Sequence, residues 1–288
     1  MKVYLAISPG RPHIKAVKAV GVKNVLVSFH ASKDFFKFLN YSDFWEPENL
    51  IIDSGAFSVW TLGEYIDIDK YIRYCKDIFT LLTKNKSLHF VNLDVLPGKF
   101  GIRPTKEEAW ESAKQGWANM EYMENEGLKV IPVFHQHEDF EWLEKMMKHT
   151  NYVGISPAND VSQQSKNNWL RKVFNITQDK VKTHGFAVTA LKTILEFPFY
   201  SVDSSSWVTG ARYGRVPTFF QGRYSSYGYK SIEDLSKLWH RIPNDKKLVD
   251  LASSESIGHS KRMEIGAEAF MKMEEFVNLI WRNRGIKW

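Results

Sequence analysis

Three aspartates in this 288-residue chain each end a short apolar run: LIID closes on Asp53, VNLD on Asp94 and YSVD on Asp203. A carboxylate set at the end of a buried strand does one of two things. It caps the turn or helix that follows, or it stands at the mouth of an active site as nucleophile, proton carrier or recognition group. Three such ends on separate strands, with His135 and Gln136 at a fourth, favour a shared site. Asp53 and Asp203 are the candidate catalytic pair. Neither HFVNLD nor FHQHED, which holds His135 and His137, matches a specific metal-ligand pattern, and no metal or cofactor is expected.

Strand ends converge only if the strands lie side by side. Eight β-branched or aromatic runs begin near residues 3, 24, 49, 88, 129, 152, 182 and 199, and most gaps between them carry helical periodicity. TKEEAWESAKQGWANMEYM opens with Thr105 and Glu108 at capping-box spacing and sets Trp110, Ala113, Trp117 and Met120 on one face. Alternating strands and helices require crossovers and a parallel sheet. The predicted fold is α/β, a (β/α)8 TIM-type barrel over about 1–210 with C-terminal helices over 230–288, all in one domain of residues 1–288. No glycine-rich dinucleotide fingerprint follows the first strand, where SPGRPH stands.

An apolar fraction of 43% suits a globular core, and no run approaches the roughly 18 apolar residues of a membrane span. The early Pro9 and Gly10 interrupt any secretory core, so a cytoplasmic protein without membrane contact is expected. The single cysteine, Cys75, lies at core spacing in a helix. Of the net charge of +6, residues 204–288 supply +5, with 14 basic against 9 acidic residues. Residues 204–229 read as an extended loop in which seven aromatics interleave with Arg212, Arg215 and Arg223. That mixture suits either a packed loop or a groove that stacks bases and pairs phosphates.

The block DSGAFS at 53–58 resembles the DSGG-aromatic motif of the tRNA-guanine transglycosylase superfamily. In the same order, LDVLPGKFGIRPTKEEAWESAKQGWA, VIPVFHQHED, YVGISP and HGFAV…FYSVDSSSW resemble its later segments, covering about residues 50 to 210. The zinc site of three cysteines and a histidine is absent, which points to the compact, phage-type DNA-7-deazaguanine transglycosylases. The resemblance implies a pentosyltransferase that exchanges guanine in DNA, in preference to tRNA, for a 7-deazaguanine base. Asp203 would form the covalent glycosyl-enzyme and Asp53 would carry the proton. Phe57, Asp94, Gln136, Gly154 and Gly185 would bind the base, Gly55 and Ala56 would leave it room, and Arg212, Arg215 and Arg223 would hold the nucleic acid. His184 stands where the family has methionine. The alternatives are a zinc-free tRNA enzyme, or a barrel hydrolase or lyase using the same carboxylates on a small molecule.

Overall fold

The computed structural model describes residues 1–8, 11–32, 47–82, 87–220, 222–228 and 259–288. Its main sheet contains β1 (Lys2–Ile7), β2 (Asn24–Ser28), β3 (Asn49–Asp53), β4 (Ser87–Val91), β5 (Val130–Ile131), β6 (Val133–His135), β7 (Tyr152–Ser156), β8 (Lys182–Gly185) and β9 (Ser201–Ser204). All neighbours pair in parallel, in the order β5-β4-β3-β2-β1-β9-β8-β7-β6. The two ends of that order are halves of one strand, split at Pro132, which has no N–H to give the ladder. Its carbonyl still accepts from the Gly154 N–H at 2.8 Å. The sheet therefore closes on itself as the expected eight-position barrel, and all eight predicted runs lie in it.

Alternation along each strand sorts the residues. Tyr4, Leu26, Ile51, Val91 and Val133 fill the barrel interior, with Ala6 and Phe186 against them. Their neighbours Val3, Leu5, Val25, Leu50, Ile52 and Phe90 face the helices in the larger core. A period of two then places Asp53 on the interior side above Ile51, because residues two apart share a face. The same rule puts Ser201 and Asp203 inside on β9, with Val202 packed outside.

The surrounding helices are α1 (Arg11–Val20), α2 (Ala56–Leu62), α3 (Ile68–Leu81), α4 (Lys106–Asn125), α5 (Phe140–His149), α6 (Gln163–Thr177) and α7 (Leu191–Glu196). Both halves of the capping box at Thr105 and Glu108 form. On α4, Ala113, Trp117 and Met120 are buried, whereas Trp110 is exposed and lies against the Trp142 ring of α5. Cys75 is fully buried on α3, as its spacing predicts.

The segment expected to be an extended loop is ordered. A 3-10 turn (Ser206–Val208) leads into α8 (Thr209–Arg212), then into an antiparallel hairpin of β10 (Arg215–Phe220) and β11 (Arg223–Gly228). Tertiary packing decides this. Trp207 is fully buried and its indole N–H donates to Ala6 O at 2.8 Å. Phe219 and Tyr224 meet Phe276 and Phe270 of α9 (His259–Asn283). Gly266 of α9 lets the helix touch this turn, for a Cβ there would lie 2.1 Å from Trp207 O. The helix predicted in SIEDLSKLWHRI and the aromatic Tyr229 lie outside the described residues. Among those described, no helix is long and apolar enough to cross a membrane.

Candidate active site

The C-terminal ends of the barrel strands open into a cavity of about 360 Å³. Asp53, Asp94 and Asp203 all line it, together with His135, Phe57 and Arg212. The three carboxylates thus converge, as the strand ends suggest.

Local backbone fixes Asp53. The next residues turn sharply, with Gly55 at φ 84°, and the Gly55 N–H donates to Asp53 Oδ2 at 3.1 Å. Glycine is required at that position, since a Cβ would lie 2.5 Å from His30 Cβ and 2.6 Å from Ser28 Oγ. Gly55 is therefore packed and leaves no room for a ligand, contrary to the expectation. Burial pushes the Asp53 carboxyl up to about 7, helped by the charges of Asp94 and Asp203 and opposed by the turn's N–H groups. At neutral pH this group both holds and releases a proton.

Asp94 is engaged elsewhere as well. Its Oδ2 lies 2.8 Å from His135 Nε2, and its Oδ1 accepts from Ser54 Oγ at 3.4 Å. Burial alone would lower the His135 imidazole, but the Asp94 contact and the Glu138 charge outweigh it and raise it. Glu138 lies behind this pair, accepts from the His135 backbone N–H at 3.0 Å, and is pushed up to about 7 by burial, against the pull of His135. Asp203 Oδ1 accepts from the Ala187 N–H at 2.9 Å and lies 3.4 Å from His184 Nε2.

The turn that follows β9 adds basic and hydroxylic groups to the lining. Arg212 stands beside Ser205 and Ser206, and among the described residues it has no acidic partner. His13 lies near it, accepting from the Ser8 N–H at 3.1 Å. Burial lowers the His13 imidazole, and the charges of Arg212 and His259 lower it further. Sequence reasoning missed His13 because the SPGRPH segment has no spacing that signals a site. Asn159 escaped for the same reason.

The remaining predicted ligands do not gather here. Gln136 accepts from the Ala158 N–H at 3.1 Å and lines a smaller adjoining cleft of about 50 Å³. Gly154 lies under Phe186, whose ring a Cβ would meet at 2.5 Å, and Gly185 lies against Phe199. Both serve packing. Phe57 stays at the rim, 43% exposed, with Trp60 and Phe100 around it. Arg215 bonds to Ser226 across the hairpin, and Arg223 extends from β11, so neither lines the cavity. Among the described residues no group of three His, Cys, Asp or Glu is placed to hold a metal ion.

No family model matches the chain, and no curated protein matches it. Similar solved structures include a designed cube-shaped protein cage built by fusing symmetric oligomeric domains, at 10% identity and TM-score 0.46, covering 99% of this chain and 74% of that one. A 4-hydroxy-2-oxoglutarate aldolase/2-deydro-3-deoxyphosphogluconate aldolase from TTHB1 is similar at 10% identity and TM-score 0.40, over 72% of this chain and 84% of that one. A native KDPGal structure is similar at 9% identity and TM-score 0.45, over 96% and 94%.

These findings overturn the transglycosylase resemblance. The motif blocks draw no match from any family model or curated protein. Base exchange, the pentosyltransferase activity, the 7-deazaguanine ligand and the DNA or tRNA partner are withdrawn with it. The site agrees in physical terms. Of the base-reading set only Phe57 and Asp94 line the cavity, two of three arginines do not line it, and three clustered carboxylates repel a polyanion.

Proposed function

We propose that this chain is a barrel hydrolase or lyase acting on a small anionic metabolite by carboxylate acid–base chemistry. The observation that carries the reading is Asp53, facing the cavity with its proton held to about 7 by burial and by Asp94 and Asp203. A group that titrates near the working pH is suited to proton transfer in both directions.

Asp53 gives its proton to the leaving oxygen as the scissile bond breaks. Asp203 takes a proton from the attacking water in a hydrolysis, or from the carbon next to the breaking bond in an elimination. Arg212, the arginine of the cavity lining, binds the anionic end of the substrate. Among the described residues the cavity is lined by carboxylates and holds no lysine, and the reading assigns the chemistry to those carboxylates.

The test is turnover of a panel of small phosphorylated and carboxylated hydroxy compounds, read by mass spectrometry. Asp53→Asn should lower kcat by about a hundred- to ten-thousand-fold while leaving the far-UV spectrum intact. Undiminished turnover in that variant removes the assignment.

A further inference from the structure

Beneath the cavity runs a buried polar chain that this acid–base pair does not use. His184 stands on the interior side of β8, fully buried, with its ring among Phe186, Tyr4 and Tyr152 at centroid distances of 4.6, 5.9 and 6.5 Å. Its Nδ1 lies 2.7 Å from Ser201 Oγ, and Ser201 Oγ lies 2.5 Å from the Tyr152 hydroxyl. Its Nε2 has no aligned hydrogen-bond partner and faces Asp203 Oδ1 at 3.4 Å. A buried imidazole in an aromatic cage is costly unless both nitrogens are used.

We infer that His184 is a positioning residue for Asp203, fixed as its Nε2–H tautomer by donors passed from Tyr152 through Ser201. The inference rests on the reading of Asp203 as a working carboxylate. Two proton orders satisfy the chain, and electrostatics selects between them. If Nδ1 carried the proton, the Nε2 lone pair would face an anionic oxygen. If Nε2 carries it, the N–H points at Asp203, the Ser201 hydroxyl donates to Nδ1, and the Tyr152 hydroxyl donates to Ser201. Every group then makes a favourable contact.

The titratable groups packed near the ring add no competing anion. Burial pushes the Tyr4 and Tyr152 phenols up and lowers His89 to about 4. Asp53, whose carboxyl the Asp203 charge helps to raise, shares the cavity lining with it. The consequence is orientational. His184 and the Ala187 N–H both engage Oδ1, leaving Oδ2 for the substrate, as outer partners orient working groups elsewhere. A 3.4 Å contact is of the kind that tightens when substrate binds.

The experiment is a long-range proton–nitrogen spectrum of the full chain labelled with ¹⁵N-histidine at pH 7. His184 is assigned by loss of its signals in His184→Gln, or by its contact with the Phe186 ring protons if that variant does not fold. The expected pattern is the Nε2–H tautomer with a downfield proton. Asp203→Asn should move that proton upfield, and Ser201→Ala should give mixed tautomers. An Nδ1–H pattern, or an Nε2 proton unmoved by Asp203→Asn, overturns the inference. No substrate is involved, so failure of the metabolite assay leaves this result separately readable.

Discussion

Asp53 carries a stability cost that comes from the same environment as its proposed chemistry. Its carboxyl titrates at 3.8 in the unfolded chain and near 7 in the fold. Below the lower value both states are protonated and nothing is lost. As pH rises from about 4 to 7 the unfolded chain gives up this proton first, so stability falls, and it levels off above 7. Asp53→Asn removes the charge at little change in shape, and should stabilise the protein at pH 8 by on the order of 2–4 kcal/mol in urea unfolding, with little gain at pH 4. Equal gains at both pH values would separate the effect from ionisation. Arg212→Ala belongs to the same scale. It should raise KM at least tenfold with kcat nearly unchanged, because it removes an ion pair to the substrate held alike in ground and transition states.

At the scale of elements, the turn bearing Ser205, Ser206 and Arg212 is held from behind by α9. Gly266→Ala should therefore cost about 1–3 kcal/mol, read as a lower denaturation midpoint, since its Cβ would meet backbone and not a yielding side chain. Thr105→Ala should cost about 1 kcal/mol by removing the cap of α4. The cap was legible in the sequence because it needs only two residues at fixed spacing. The eight strands were legible because each is a local run of β-branched and apolar residues. The hairpin of β10 and β11 was not, because its aromatics acquire their places from Phe270 and Phe276, far along the chain. The site divides in the same way. Asp53 and Asp203 could be read from a period of two on their own strands. The Asp94–His135 contact and the seat of Gln136 outside the cavity depend on how separate strand ends meet, which no local pattern encodes.

Across the whole molecule the two ends of the chain are tied. The Met1 amino group donates to Asn278 Oδ1 at 2.5 Å, and the Val3 N–H donates to Glu274 Oε2 at 2.7 Å. With α9 locked onto the first strand, we propose one cooperative domain, and calorimetry should show a single transition; two resolved transitions would contradict it. The barrel gives the site its convergence, bringing residues from β3, β9 and the loop after β4 around one cavity. The fold alone does not choose a reaction. The choice rests on a carboxyl whose proton is retained to neutral pH, and that property can be measured without any substrate. A ¹³C titration of the Asp53 side-chain carboxyl, assigned with Asp53→Asn, should give a midpoint near 7. A midpoint near the ordinary value of 3.8 would contradict the account.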